Sequence, residues 1–106
     1  MWYLVISKPV APQEQIQQHV GEHSAWLKQH HDAGNIVASG PSPDGPSGIW
    51  VLRANSREDA KKLADAHPYH AKGLRSYEMY EWNVHQFMGQ GAFTPEAVTA
   101  LQRQRS

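Results

Sequence analysis

The residue best suited to do chemistry in this sequence is His23, which falls on the apolar side of the first predicted helix. Ile16, Val20 and Leu27 follow the spacing of a buried helix face, and His23 belongs to the same stripe. An imidazole has an unperturbed pKa of about 6.5, so it can accept or release a proton near neutral pH. We therefore predict that His23 faces the core or a cleft, where it either transfers protons or holds a structural hydrogen bond.

A metal site is an alternative use of the histidines, of which the chain has seven. His19 and His23 are four residues apart, so both could bind a metal from one helix face. The further ligands would come from His67, His70 or Asp44. The helix lacks the acidic residue that follows the first histidine of a metalloprotease helix, so we expect neither a metal nor another cofactor.

Length, charge and composition narrow the class of protein. A chain of 106 residues forms one domain with a modest core. Its ten basic and ten acidic residues cancel, which argues against nucleic acid and anionic membranes as partners. The chain has no cysteine, no long apolar run and no basic N-terminal leader, so we expect a cytoplasmic protein without disulfides or thiolate chemistry.

The elements that must position these side chains follow from apolar spacing and turn residues. The pattern predicts strands at 2–7, 36–39, 49–53 and 74–84 and a helix at 13–33. A second helix is predicted to begin after Ser56, which forms a capping pattern with Asp59, and to end before Pro68. Residues 1–85 would form the domain, and 86–106 a linker and a short tail helix beginning at Thr94.

The order β-α-β-β-α-β predicts a ferredoxin-like α+β fold with both helices on one face of an antiparallel sheet. The strands carry apolar side chains on both faces: Trp2 and Leu4 lie opposite Tyr3 and Val5. One domain of this size cannot cover both faces. We therefore predict a homodimer in which two sheets meet face to face, with the tail helix reaching over the partner.

Several short motifs resemble those of the YciI-like family. They are the segments 23–27 (HSAWL) and 34–41 (GNIVASGP), the Asp44-Gly45 turn, the helix start at 56–60 (SREDA), and Pro68-Tyr69 followed by Gly73. The resemblance covers about residues 2 to 84. It implies a dimeric α+β barrel with a histidine and aspartate site between helix and sheet. It also implies proton-transfer chemistry on small rings in aromatic catabolism, with dehydrochlorination as the best understood activity.

Carried over to this sequence, the family histidine is His23. Many relatives have Asp-Pro where this chain has His67-Pro68, so we predict Asp44 as the carboxylate partner of His23. Asp65 is the less favoured carboxylate partner, because its position on the predicted helix places it with lysines on the solvent-facing side. His67 is then predicted to bind substrate or act as an auxiliary acid.

The chemistry implied by the resemblance needs a base for an O–H or C–H proton and donors for the oxyanion that develops. His23 with Asp44 would supply the base, and Ser39, Ser76 and His67 the donors. Trp50 and Tyr69 would suit a flat ring substrate. The sequence thus favours a lyase or isomerase; a ligand-binding protein without catalysis and a histidine-ligated metal protein remain the alternatives.

Overall fold

The computed structural model describes residues 1–88, which form a four-stranded antiparallel sheet with helices on one face. The elements are β1 Trp2–Pro9, α1 Gln13–Gln17, α2 Val20–Asp32, β2 Ile36–Pro41, β3 Gly48–Arg53, α3 Arg57–Ala66, α4 Pro68–Ala71 and β4 Arg75–Trp82. The strand order is β2-β3-β1-β4, and every pairing is antiparallel. The predicted ferredoxin-like α+β fold is confirmed.

The core lies between the helices and the sheet because alternate strand residues point the same way. Tyr3 and Val5 of β1 are buried beside Leu52 and Trp50, their register partners on β3. From α3, Ala60 and Ala64 close this core. Their small side chains allow the helix to lie close against the large residues of the strands.

The single helix predicted for residues 13–33 is two helices, which is a correction to the sequence analysis. The chain breaks at His19, whose φ of −113° and ψ of 16° lie outside the helical range. Ile16 on α1 packs with Tyr69 and Leu74 in a second, smaller cluster. Val20, the first residue of α2 after the break, is 53% exposed and not buried as predicted.

The second predicted helix begins and ends as expected. The Ser56 hydroxyl accepts a hydrogen bond from the Asp59 backbone N–H at 3.1 Å, and α3 stops before His67. The sequence analysis missed α4, which starts at Pro68 directly afterwards. His67 Nδ1 accepts the Tyr69 backbone N–H at 3.1 Å and so caps this short helix.

The sheet face away from the helices, here called the open face, is apolar. At its centre Leu4 lies between Val51 on one side and Tyr80 on the other. Ile49 and Trp82 lie on the same face and are 41% and 45% exposed. No helix within residues 1–88 is long and apolar enough to cross a membrane. The helix predicted at Thr94 lies outside the described residues.

Candidate functional site

His67 is the centre of the site. Its side chain is fully buried where α3 meets α4. Five aromatic rings surround it, with centroid distances of 4.7 to 5.2 Å: His23, Trp26, Trp50, Tyr69 and His70. Burial, and after it the neighbouring His23, His70 and Arg75, together lower the pKa of His67 to about 3. His67 is therefore neutral at physiological pH.

A short hydrogen bond of 2.7 Å joins His23 Nδ1 to His67 Nε2, and its direction follows from the backbone. His67 Nδ1 accepts the Tyr69 N–H, so the proton of the neutral ring sits on Nε2. His67 must then donate to His23 Nδ1. A neutral His23 consequently carries its own proton on Nε2, and it presents an N–H outward rather than a lone pair.

His23 itself lies at the edge of the cluster. It is partly exposed on α2, and its ring stacks on Tyr69 at a centroid distance of 4.6 Å and an interplanar angle of 10°. Burial lowers its pKa and the Arg75 charge lowers it further, so the neutral form is favoured. Nε2 makes no hydrogen bond with any of residues 1–88. The ring is held at one nitrogen and open at the other.

A second chain of hydrogen bonds fixes the third histidine. His70 donates from Nδ1 to the Ala64 carbonyl at 2.7 Å, so its neutral Nε2 accepts from the Ser7 hydroxyl at 2.8 Å. Ser7 in turn accepts from Arg75 Nε at 3.0 Å. Burial lowers the pKa of His70 as well. All three histidines of the cluster (His23, His67 and His70) therefore stay neutral beside a cation.

That cation, Arg75, has only neutral partners among residues 1–88. Its Nη2 donates to the carbonyls of Ser7 and Pro46, both at 2.7 Å. No carboxylate of the described chain pairs with it. Arg75 and His70 also line a cavity of about 510 Å³ together with Arg57 and Lys61. Asp65 contributes one carboxylate to the same lining against three cations, so the net charge of the lining is positive and favours anionic ligands.

The comparisons with known proteins agree with this architecture. The model of the YCII-related domain matches residues 1–83. The chain belongs to the YCII-related family. The resemblance stated from the sequence is thus confirmed.

Two similar proteins extend this comparison. This YCII-related chain is 29% identical to the uncharacterized protein YjpA of Bacillus subtilis (strain 168) over 68 residues, which are 64% of this chain and 80% of YjpA. Its fold is similar to that of TftG, a 5-chloro-2-hydroxyhydroquinone dehydrochlorinase from Burkholderia phenoliruptrix AC1100 solved with 2,5-dihydroxybenzoquinone. The TM-score is 0.65 at 18% identity, and the match covers 77% of this chain and 93% of TftG.

The structure separates the carboxylates that were predicted as partners from His23. Asp44 is exposed in the β2–β3 loop and accepts a hydrogen bond from Ser42; within residues 1–88 no hydrogen bond or ion pair joins it to His23. Within the described residues His23 is hydrogen-bonded to His67 instead. Asp65 lies on the solvated side as expected, where it pairs with Lys61 at 2.7 Å.

The two predicted serine donors also lie away from His23. Ser39 is exposed and bonds to His31 Nε2 at 2.7 Å. Ser76 is exposed and lies at the wall of the 510 Å³ cavity. It alternates along β4 with Arg75 and Tyr77, the residues that reach Ser7 and Asp65. By contrast, Trp50 and Tyr69 adjoin the histidine cluster, as predicted for aromatic neighbours.

The metal alternative depends on three converging ligands. His19 Nδ1 bonds to Glu22 at 3.0 Å, whereas His23 Nδ1 bonds to His67. In the part of the chain that the structure describes, no three histidine, cysteine, aspartate or glutamate side chains are grouped so that they could hold an ion.

Arg75 and Ser7 are site residues that the sequence did not point to, and His70 entered the sequence analysis only as a possible metal ligand. Strand alternation gives a signal for two of them, because Ser7 continues the buried side of β1 after Tyr3 and Val5. A buried serine in an otherwise apolar series needs a polar partner. That partner comes from β4, which pairs with β1 across residues 2–9.

Proposed function

We propose that this protein is a lyase or isomerase that acts on a small oxygenated ring, with dehydrochlorination of a hydroxyquinone-like compound in aromatic catabolism as its specific reaction. Three observations support the proposal: the family, the fold shared with a dehydrochlorinase, and an aromatic site around His23 that lies within the influence of the Arg75 charge. The observation that carries it is the His23–His67 hydrogen bond, since it leaves one imidazole nitrogen free at the edge of the cluster.

The direction of that bond revises how His23 works. Loss of HCl from a chlorinated hydroxyhydroquinone moves one hydroxyl proton to the carbon that bears chlorine. Chloride and a second hydroxyl proton then leave, and a quinone forms. Both stages pass through anions whose charge lies on ring oxygens. The Nε2–H of a neutral His23 stabilises such an anion without titrating, so we assign His23 the donor role in place of the general base.

Turnover of a chlorinated hydroxyhydroquinone tests the proposal, followed by chloride release and by the quinone absorbance. His23→Phe keeps an aromatic ring against Tyr69 but removes both nitrogens. We expect kcat to fall by about 10²- to 10³-fold, the usual cost of losing one oxyanion donor. His19→Gln changes a partly exposed histidine at the N-cap of the same helix and should leave kcat unchanged. Absence of turnover by the wild type on chlorinated hydroxyhydroquinones and on muconolactones would overturn the proposal.

His67→Asp tests the direction of the hydrogen bond. An aspartate is a good helix cap, so the start of α4 keeps its acceptor. A carboxylate can only accept from His23 Nδ1, which moves the proton and frees the Nε2 lone pair. The pKa of His23, followed by NMR, should rise from below its ordinary value to above it. An unchanged His23 pKa in this folded variant would contradict the donor assignment.

A further inference from the structure

Two buried hydrogen-bond donors next to the histidine cluster have no acceptor among residues 1–88. Trp50 is 4% exposed and Tyr69 is 7% exposed. Within residues 1–88 neither the Trp50 indole N–H nor the Tyr69 hydroxyl makes a hydrogen bond. Buried polar groups nearly always have a partner in folded proteins, so two unsatisfied donors on neighbouring sides of one site indicate a ligand.

Arg75 adds a third donor to the same place. Its Nε and Nη2 are committed to Ser7 and Pro46, and Nη1 is left without a partner in the described chain. Trp50 Nε1 and Arg75 Nη2 lie 3.8 and 3.9 Å from the point where a Cβ on Gly48 would be. Nη2 is already committed, so this proximity places the positive charge of the guanidinium, which also carries the unpartnered Nη1, beside the indole N–H at a residue that has no side chain.

Tyr69 connects this region to His23. Its ring stacks on the imidazole at 4.6 Å, so an anion held near the Tyr69 hydroxyl is adjacent to His23. Burial raises the pKa of Tyr69, and the Arg75 charge opposes that rise. The phenol thus keeps its proton and remains a donor within the field of the guanidinium.

We propose that Arg75, Trp50 and Tyr69 form an anion recess that binds an ionised ring oxygen of the substrate. This inference rests on the proposed function, because the ligand of the recess is the ring substrate that is proposed to react next to His23. The three groups offer only donors to a ligand: a guanidinium, an indole N–H and a phenol O–H. Such a set accepts an enolate or phenolate oxygen and rejects the same oxygen once it is methylated, since the ether carries no charge and adds bulk.

Calorimetric titration with two matched ligands tests the recess. The first is 2,5-dihydroxy-1,4-benzoquinone, whose acidic hydroxyls are ionised at neutral pH. The second is its dimethyl ether, which has the same ring and no charge. We expect the ionised ligand to bind at least about tenfold more tightly, because hydrogen bonds to a charged group are the stronger ones.

Three variants locate the recess within the site. Tyr69→Phe and Trp50→Phe keep an aromatic ring and remove one donor, so each should weaken the ionised ligand by about tenfold and leave the ether unaffected. Arg75→Gln should weaken it by about a hundredfold. Tyr77→Phe is the matched control, since that hydroxyl already bonds to Asp65 at 2.5 Å. Its affinity should equal that of the wild type.

The outcomes separate this inference from the proposed function. Equal affinity for the two quinones, or unchanged affinity in Tyr69→Phe and Trp50→Phe, overturns the recess even if the wild type turns over its substrate. Selective binding that these variants abolish, without turnover of any ring compound, supports the recess and contradicts the enzyme. Failure of the wild type to bind either quinone overturns both.

Discussion

The two faces of the sheet reverse the usual distribution of polar and apolar groups. The face under the helices packs against three histidines, of which His67 is fully buried and two are partly buried, and it also buries a serine and part of an arginine. The open face exposes Ile49, Tyr80 and Trp82 to solvent. Both faces belong to the same four strands. Consecutive residues of one strand therefore point alternately to the polar environment under the helices and to the apolar open face.

The difference shows what each face is for. Burying histidines is costly unless their nitrogens are paired, and here the hydrogen bonds of His67 and His70 are arranged with few unmet groups. Such an arrangement is typical of a site, where fixed tautomers present chosen donors to a ligand. An exposed apolar face is typical of an interface. We propose that the open face is the homodimer interface that the sequence predicts.

The largest effect on folding should come from His67→Ala, on the face of the sheet that the helices cover (the covered face). The change removes a fully buried ring with five aromatic neighbours and leaves the Tyr69 N–H without its acceptor. Loss of a buried aromatic ring costs about 3 kcal/mol or more in the free energy of unfolding. His19→Ala, at a partly exposed histidine, should cost about 0.5 kcal/mol or less. Urea unfolding of both variants measures the two losses in the free energy of unfolding, and equal losses would contradict this prediction.

Low pH should have the next largest effect on stability, again through the histidines of the covered face. The pKa values of His23, His67 and His70 are lowered in the folded state, so these rings stay neutral while the unfolded chain takes up protons below pH 6.5 or so. Stability is therefore complete above the unfolded pKa and falls as the pH drops. His67 contributes up to about 1.4 kcal/mol per pH unit until its folded pKa of about 3 is reached.

Urea unfolding at pH 7.5 and 5.5 isolates this histidine effect, because carboxylates titrate at lower pH. The His67→Leu variant, which cannot titrate at this position, should lose less stability over the same interval. A wild type that is equally stable at both values would show that the buried histidines are not neutral in the folded state.

The smallest effect on a single chain should come from the open face. Ile49→Glu places a charge on the apolar surface at a side chain that is 41% exposed, so the free energy of unfolding of one chain should change by about 0.5 kcal/mol or less. The proposed dimer should nevertheless dissociate, since an unpaired buried charge opposes association. Sedimentation velocity measures the mass. Val20→Glu, at an exposed apolar residue on α2, is the control and should leave the mass unchanged.

The fold could be predicted where local rules decide the structure. The alternation of Tyr3, Val5 and Trp50 gives the strands, and the Ser56 cap together with Pro68 gives the limits of α3. The break at His19 could not be predicted, because it depends on the packing of Ile16 against Tyr69, which is distant in sequence. Apolar periodicity alone extends a helix through such a position.

The site shows the same limit. His23 was identified from the helix pattern, and it does face the cluster. Its partner was assigned to Asp44 because a carboxylate is the expected residue type and position 67 is not acidic. In this structure position 67 does contact His23, at 2.7 Å, but through an imidazole that donates rather than through a carboxylate. The sequence pattern does not show that contact, because the two residues are 44 positions apart and meet only in the folded chain.

One ring performs two tasks at position 67, and this couples backbone order to reactivity. The nitrogen that receives the first amide of α4 is what forces the opposite nitrogen to point its hydrogen at His23. If that first turn frays, His67 is free to exchange tautomers, and His23 switches from offering a hydrogen to offering an electron pair. The order of the four-residue helix α4 therefore determines whether His23 behaves as an acid or as a base.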